Sequence, residues 1–129
     1  MHIHIDYNSG EPIIHQVVGQ IKLMVVSGRF SPGSKLPSIR GFSKDLKINP
    51  TTVTRIYKEL EHQGVIVLRH GQGAFIAESQ NKPGKDEAAR TIRPEAESLL
   101  VEGLRRGLSE EEIIEVLKQE YKKIKAVKE

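Results

Sequence analysis

The stretch Asn49–Gly64, NPTTVTRIYKELEHQG, decides how the rest of the chain is read. Asn49 is suited to cap a helix N-terminus, its side-chain oxygen accepting from a free amide one turn in. Pro50 follows at the first helical position, where an amide hydrogen has no intrahelical partner and the ring presets φ. Gly64 marks the stop. Between them Val53, Ile56, Tyr57 and Leu60 recur at i, i+3, i+4 and i+7, one apolar stripe. The opposite face carries Thr51, Arg55, Lys58 and His62, with Thr54 and Glu59 at its edges. Short hydroxyls and long cations suit a surface that reads duplex DNA from the major groove. A merely solvated helix face has the same composition, so the neighbours decide.

Immediately upstream, residues 38–46, SIRGFSKDL, predict a second helix capped by Ser38. Ile39, Phe42 and Leu46 should face inward, with Arg40 near the helix start and Lys44 one turn on. Lys47 and Ile48 leave room only for a tight turn, so the two helices form a helix-turn-helix. Immediately downstream, VIVLR (65–69) and GAFIA (73–77) are β-prone runs separated by His70, Gly71 and Gln72. They predict a hairpin wing with Arg69 and His70 at its tip, placed to meet a phosphate backbone or minor groove. Turn geometry alone accounts for Gly71 and Gly73.

Further out, residues 11–27 predict a first helix facing the core through Ile14, Val17, Val18, Ile21 and Val25. Ile13, Leu23 and Val26 fall off that stripe, and His15 is expected to be partly buried. Residues 29–37 form a loop turning at Pro32 and Gly33, anchored by Phe30 and Leu36. The N-terminal MHIHIDYN alternates Ile3 and Ile5 with His2, His4 and Asp6, as a short strand or an extended arm would.

Beyond the wing, Asn81 to Gly84 read as a linker, within a joint spanning 79–85. A following helix could begin near Lys85 or at Pro94; the proline favours a start at about Pro94. Its apolar face is Ala96, Leu99, Leu100 and Leu104, and Gly107 ends it. Ser109 and Glu112 form a capping box that opens a last helix, lined by Ile113, Ile114, Leu117, Tyr121 and Ile124. Two helices of this size cannot bury their apolar faces alone, so they should pack on a second copy. The expected organisation is a winged helix-turn-helix domain at 1–78, the joint, and a helical dimerisation module at 86–129. The fold class is α+β, mostly helical.

Charge agrees with that division. The net charge of +3 hides a contrast. Residues 1–77 hold 9 Lys and Arg against 5 Asp and Glu, whereas residues 78–129 hold 11 against 12. The first part is the better partner for a polyanion. There is no cysteine, which excludes disulfides and thiolate chemistry. No apolar run approaches a membrane span and no signal pattern opens the chain, so a soluble cytoplasmic protein is expected.

With these motifs on the page, the chain resembles the GntR family of bacterial transcription regulators over about residues 10–77. LPSIR, NPTTVTRIYKELE and the glycine-containing wing LRHGQGAFI carry the resemblance jointly. The short two-helix tail and N-terminal arm resemble the YtrA subfamily; the large effector-binding and aminotransferase-like extensions of other branches are absent. The resemblance implies a homodimer on a pseudo-palindromic operator, usually acting as a repressor, with an unidentified small-molecule effector as its signal. By matching position it implies DNA contacts from Arg40, from Asn49, Thr51, Thr52 and Arg55, and from His70 and Gly71; Ser38, Lys44, Thr54, Lys58 and Arg69 join them as candidate DNA contacts on the reading of the residues. Many relatives carry a basic residue where this chain has Thr54. No cofactor and no metal is implied.

Three other readings compete. Catalysis lacks a nucleophile motif, a phosphate loop or a paired carboxylate site outside the capping turn, and the five histidines are scattered. An RNA module would want several exposed aromatics, whereas Phe30, Phe42, Phe75 and Tyr57 look buried or anchoring. A protein adaptor without DNA binding has no use for cations at Arg40, Arg55 and Lys58.

Overall fold

The computed structural model describes residues 2–78 and 83–126, and their contacts divide them into two units, one on each side of residues 79–82. In the first unit α1 spans Ile13–Val26, α2 Ile39–Leu46 and α3 Pro50–His62, followed by β1 (Ile66–Arg69) and β2 (Gly73–Ile76). The second unit consists of α4 (Lys85–Arg105) and α5 (Glu110–Ala126). Residues 79–82, most of the expected joint, lie outside the described residues; Pro83 and Gly84 are non-helical.

The apolar stripe of α3 is the centre of the first unit. Val53, Ile56, Tyr57 and Leu60 are all buried, and α3 packs on α1, α2 and β1. Burial of such side chains contributes about 1.5–3 kcal/mol each. Val17, Val18 and Ile21 of α1, Phe42 of α2, Leu36, and Ile66, Ala74 and Ile76 of the hairpin complete the core. Ile39 departs from the expected inward stripe and is exposed. It occupies the first position of α2, where the side chain overhangs the end of the core, and Ser43 is buried on that helix instead. His15 is likewise exposed rather than partly buried, because the arm covers the neighbouring line of α1.

That arm is not a strand. Ile3 and Ile5 pack on the core, while two glutamines one turn apart on α1 take the place of a strand partner. Gln20 accepts from the His4 amide at 2.9 Å and donates to its carbonyl at 2.6 Å. Gln16 does the same for Asp6, at 2.9 and 3.0 Å.

The hairpin pairs Ile66 with Ile76 through to Arg69 with Gly73. The preceding loop adds a third strand-like segment, which local sequence did not suggest. Leu36 donates to Ala74 O and Ile76 to Ser34 O, each at 2.8 Å, and Lys35 bridges Phe75. Gly33, at φ +81°, donates to Ile76 O and closes the turn.

In the second unit, α4 begins at Lys85 and runs through Pro94, correcting the expected start at Pro94. Proline removes one amide and crowds the carbonyl four residues back. The helix persists because Asp86 and Glu87 suit its positive end and good helix formers flank the proline on both sides. The α4–α5 turn closes tightly. A Cβ added at Gly103 would fall 2.6 Å from Ile113 Cδ1, so the glycine admits the isoleucine to the helix surface. Ser109 and Glu112 form the capping box, with Ser109 N donating to Glu112 Oε1 at 2.9 Å and Glu112 N to Ser109 Oγ at 3.2 Å. Leu99, Leu100, Leu104, Ile114, Leu117 and Tyr121 keep the expected helical spacing but are exposed in the single chain.

Candidate nucleic-acid interface

The outward side chains of α3 are held by what fixes the helix itself. Asn49 Oδ1 accepts from the Thr51 amide at 2.7 Å, and Pro50 occupies the first turn. Tyr57, on the buried side, donates its hydroxyl to Pro37 O at 2.6 Å and packs on Phe42 with ring centroids 5.8 Å apart. Burial pushes the Tyr57 phenol well above its ordinary pKa, so it remains a donor. The turn into α3 is clasped by Ser43, whose buried hydroxyl donates to Ile48 O at 2.5 Å while the Ile48 amide returns to Ser43 O. Lys47 pays for the tightness with a left-handed backbone, φ +58°.

On this frame Thr51, Arg55 and Lys58 are exposed, and Thr52 and Thr54 are half-buried. The Thr54 hydroxyl donates to Pro50 O at 3.1 Å and so turns toward its own helix. On α2, Ser38 Oγ accepts from the Gly41 amide at 3.0 Å, while Arg40 and Lys44 stand exposed. Ser38 and Asn49 therefore act as helix caps in the free chain. In the hairpin Arg69, His70 and Gly71 are exposed, and Gly71 takes φ +73°. The Arg69 guanidinium lies 4.6 Å from the centroid of the Phe75 ring. Among the described residues, the three ion pairs all lie in the second unit and use Glu102 and Glu120. Arg40, Lys44, Arg55, Lys58 and Arg69 thus carry charge that no carboxylate of the described residues neutralises.

Sequence reasoning missed two residues that shape this surface. Ser43 looks like any surface serine until the turn is built around it. Lys35 sits in an apparent loop, and only its pairing with Phe75 puts it beside the wing. No group of three or more His, Cys, Asp or Glu residues that could hold a metal occurs among the described residues.

A helix-turn-helix with a cation-and-hydroxyl outer face, followed by a basic hairpin, defines a winged-helix DNA-binding protein. Residues 13–76 match the family model for bacterial regulatory proteins of the gntR family. Among curated proteins, the HTH-type transcriptional repressor YtrA of Bacillus subtilis (strain 168) is 32% identical, over 91% of this chain and 90% of its own. The uncharacterised HTH-type transcriptional regulator YhcF of the same strain is 36% identical, over 87% and 92%. Among solved structures, a transcriptional antiterminator from Listeria monocytogenes EGD-e has a TM-score of 0.87 at 32% identity, covering 97% of this chain and 93% of that one. The chain belongs to the GntR family of transcription regulators, with YtrA and YhcF among its relatives, and it is not an enzyme.

Proposed function

We propose that the chain represses transcription in the cytoplasm by binding a pseudo-palindromic duplex operator as a homodimer. One observation carries the DNA-reading part. On α3, Arg55 and Lys58 project from a helix whose other side is wholly buried, and no carboxylate of the described residues pairs with them. Arg55, with Thr51 and Thr52, reads base edges in the major groove. Arg40, Lys44 and Lys58 contact phosphates, and Ser38 and Asn49 hold the two helix starts against the backbone. His70 and Gly71 approach the adjacent minor groove, and Arg69 the phosphate backbone beside it. Thr54, its hydroxyl turned inward, contributes through its methyl group.

Support for the homodimer comes from the second unit. Its exposed apolar residues keep helical spacing along both helices, as a face made for a second copy does. Two copies set their α3 helices about one DNA turn apart or a little more. The repressor sense follows the printed name of the relative YtrA.

A second reading is RNA binding. It needs a stacking platform, and the exposed aromatics among the described residues, Tyr7 and Tyr121, lie outside the helix-turn-helix. Selection of bound duplexes from a random pool, with single-stranded RNA as competitor, tests the proposal. A recurrent palindrome that RNA does not displace is expected; no recurrent sequence, or displacement by RNA at equal concentration, would refute it.

A further inference from the structure

The outer face of the wing carries a cation that neither α3 nor the wing tip accounts for. Val67, Arg69, Gly73 and Phe75 share that face, since the register pairs Val67 with Phe75 and Arg69 with Gly73. Lys35 joins them through its bridge to Phe75. A Cβ placed on Gly73 would lie 3.1 Å from Lys35 Cε and 3.9 Å from Nζ, so the ammonium rests over the rung that Arg69 completes. Arg69 in turn stacks on Phe75. Gly73 is what permits this: its backbone takes φ +114°, and a side chain there would displace the lysine stem.

We propose that Lys35 is a phosphate contact of the DNA complex and that, with Arg69, it makes the outer face of the wing a grip on the backbone. The inference deepens the DNA-binding reading above and rests on it. Three features of Lys35 support it. Its backbone is tied into the sheet on both sides by Leu36 N to Ala74 O and Ile76 N to Ser34 O, so little further ordering is needed on binding. It lies three residues before the α2 cap Ser38, and the intervening Pro37 is tied to α3 by Tyr57. It thereby joins the basic wing to the helix-turn-helix in one cationic path. No carboxylate of the described residues pairs with it. A compact ammonium suits a phosphate as a point charge, while the stacked guanidinium of Arg69 keeps its edges free for a second phosphate.

The test titrates the full chain and its Lys35→Gln and Lys35→Met variants with the duplex selected above and with a scrambled duplex, over a range of salt. Methionine keeps a long stem on Gly73 and removes the charge. Both variants are expected to bind both duplexes about three- to tenfold more weakly. The slope of log Kd against log salt should fall by about 0.9, one phosphate contact, and Lys35→Arg should restore it. Phe75→Leu should weaken binding in the parent chain but not in an Arg69→Gln background, because the ring acts by positioning Arg69. An unchanged slope in both Lys35 variants, beside a parent chain that prefers the selected duplex, overturns the inference alone. A parent chain with no such preference removes the reading on which it stands.

Discussion

Arg55 and Lys44 are both exposed cations, yet they belong to different parts of the recognition problem. Arg55 projects from the middle of α3 and Lys44 from α2; in the proposed complex the first reaches a base edge and the second lies on the helix that crosses the backbone. Arg55→Ala is expected to flatten sequence preference, with about 1–3 kcal/mol of discrimination lost at one base pair. Lys44→Ala should weaken every duplex alike and lower the salt slope by about one unit. Competition titrations across single-base variants of the selected site separate the two; full preference retained by Arg55→Ala contradicts its assignment. Lys47 makes a prediction for stability instead. A left-handed backbone costs a residue bearing a Cβ about 1 kcal/mol, and glycine avoids that cost. Lys47→Gly should therefore raise the urea midpoint with an unchanged m-value; a lower midpoint would mean that the lysine stem contributes more than the strain removes.

At the scale of elements, caps and periods were legible because they are local. Ser38 and Asn49 each cap the helix that begins at the next residue, Gly64 follows α3 at φ +76°, and Ser109 with Glu112 forms the reciprocal pair. The direction of side chains on α3 followed from its 3.6-residue period. What escaped depends on neighbours distant in sequence. Lys35 becomes part of a sheet only because Phe75 comes alongside, and Ser43 is buried only because Ile48 folds back over it. Pro94 looks like a helix start because the rule against interior proline is strong, yet flanking helix formers outweigh it.

The capping box also makes the second unit sensitive to acid. Hydrogen bonds from the Ser109 amide, then its hydroxyl, hold the Glu112 carboxyl below its usual range. Arg105 first, then Arg106, do the same for Glu102. A folded pKa below the unfolded one means that folding favours the ionised form. That stabilisation is complete above the unfolded carboxylate pKa, about 4.3, and is lost as pH falls through the lower folded value. Helicity of α4 and α5 followed by circular dichroism should therefore weaken over the acid range. Glu112→Gln, which can still accept from the Ser109 amide, should show a shallower acid dependence; an identical pH profile contradicts the linkage.

For the whole molecule, the proposed homodimer would cover the apolar residues left exposed on α4 and α5. Leu104 is 60% exposed in the single chain, so a charge placed there costs an isolated protomer little. In a homodimer it would be buried unpaired. Sedimentation should find the parent chain at twice 14.5 kDa and Leu104→Glu at 14.5 kDa, with its melting point then dependent on concentration no longer. The sequence points to such a pair by itself, because two helices of this size cannot bury their apolar faces alone, and the family resemblance implies it separately.

The central claim is that two α3 helices read one duplex together. Its most direct test is an anisotropy titration at about 150 mM salt, using the selected duplex and the same bases scrambled. The account predicts two protomers per duplex and a preference for the selected site of about a thousandfold or more. Equal affinity for the two duplexes would contradict it.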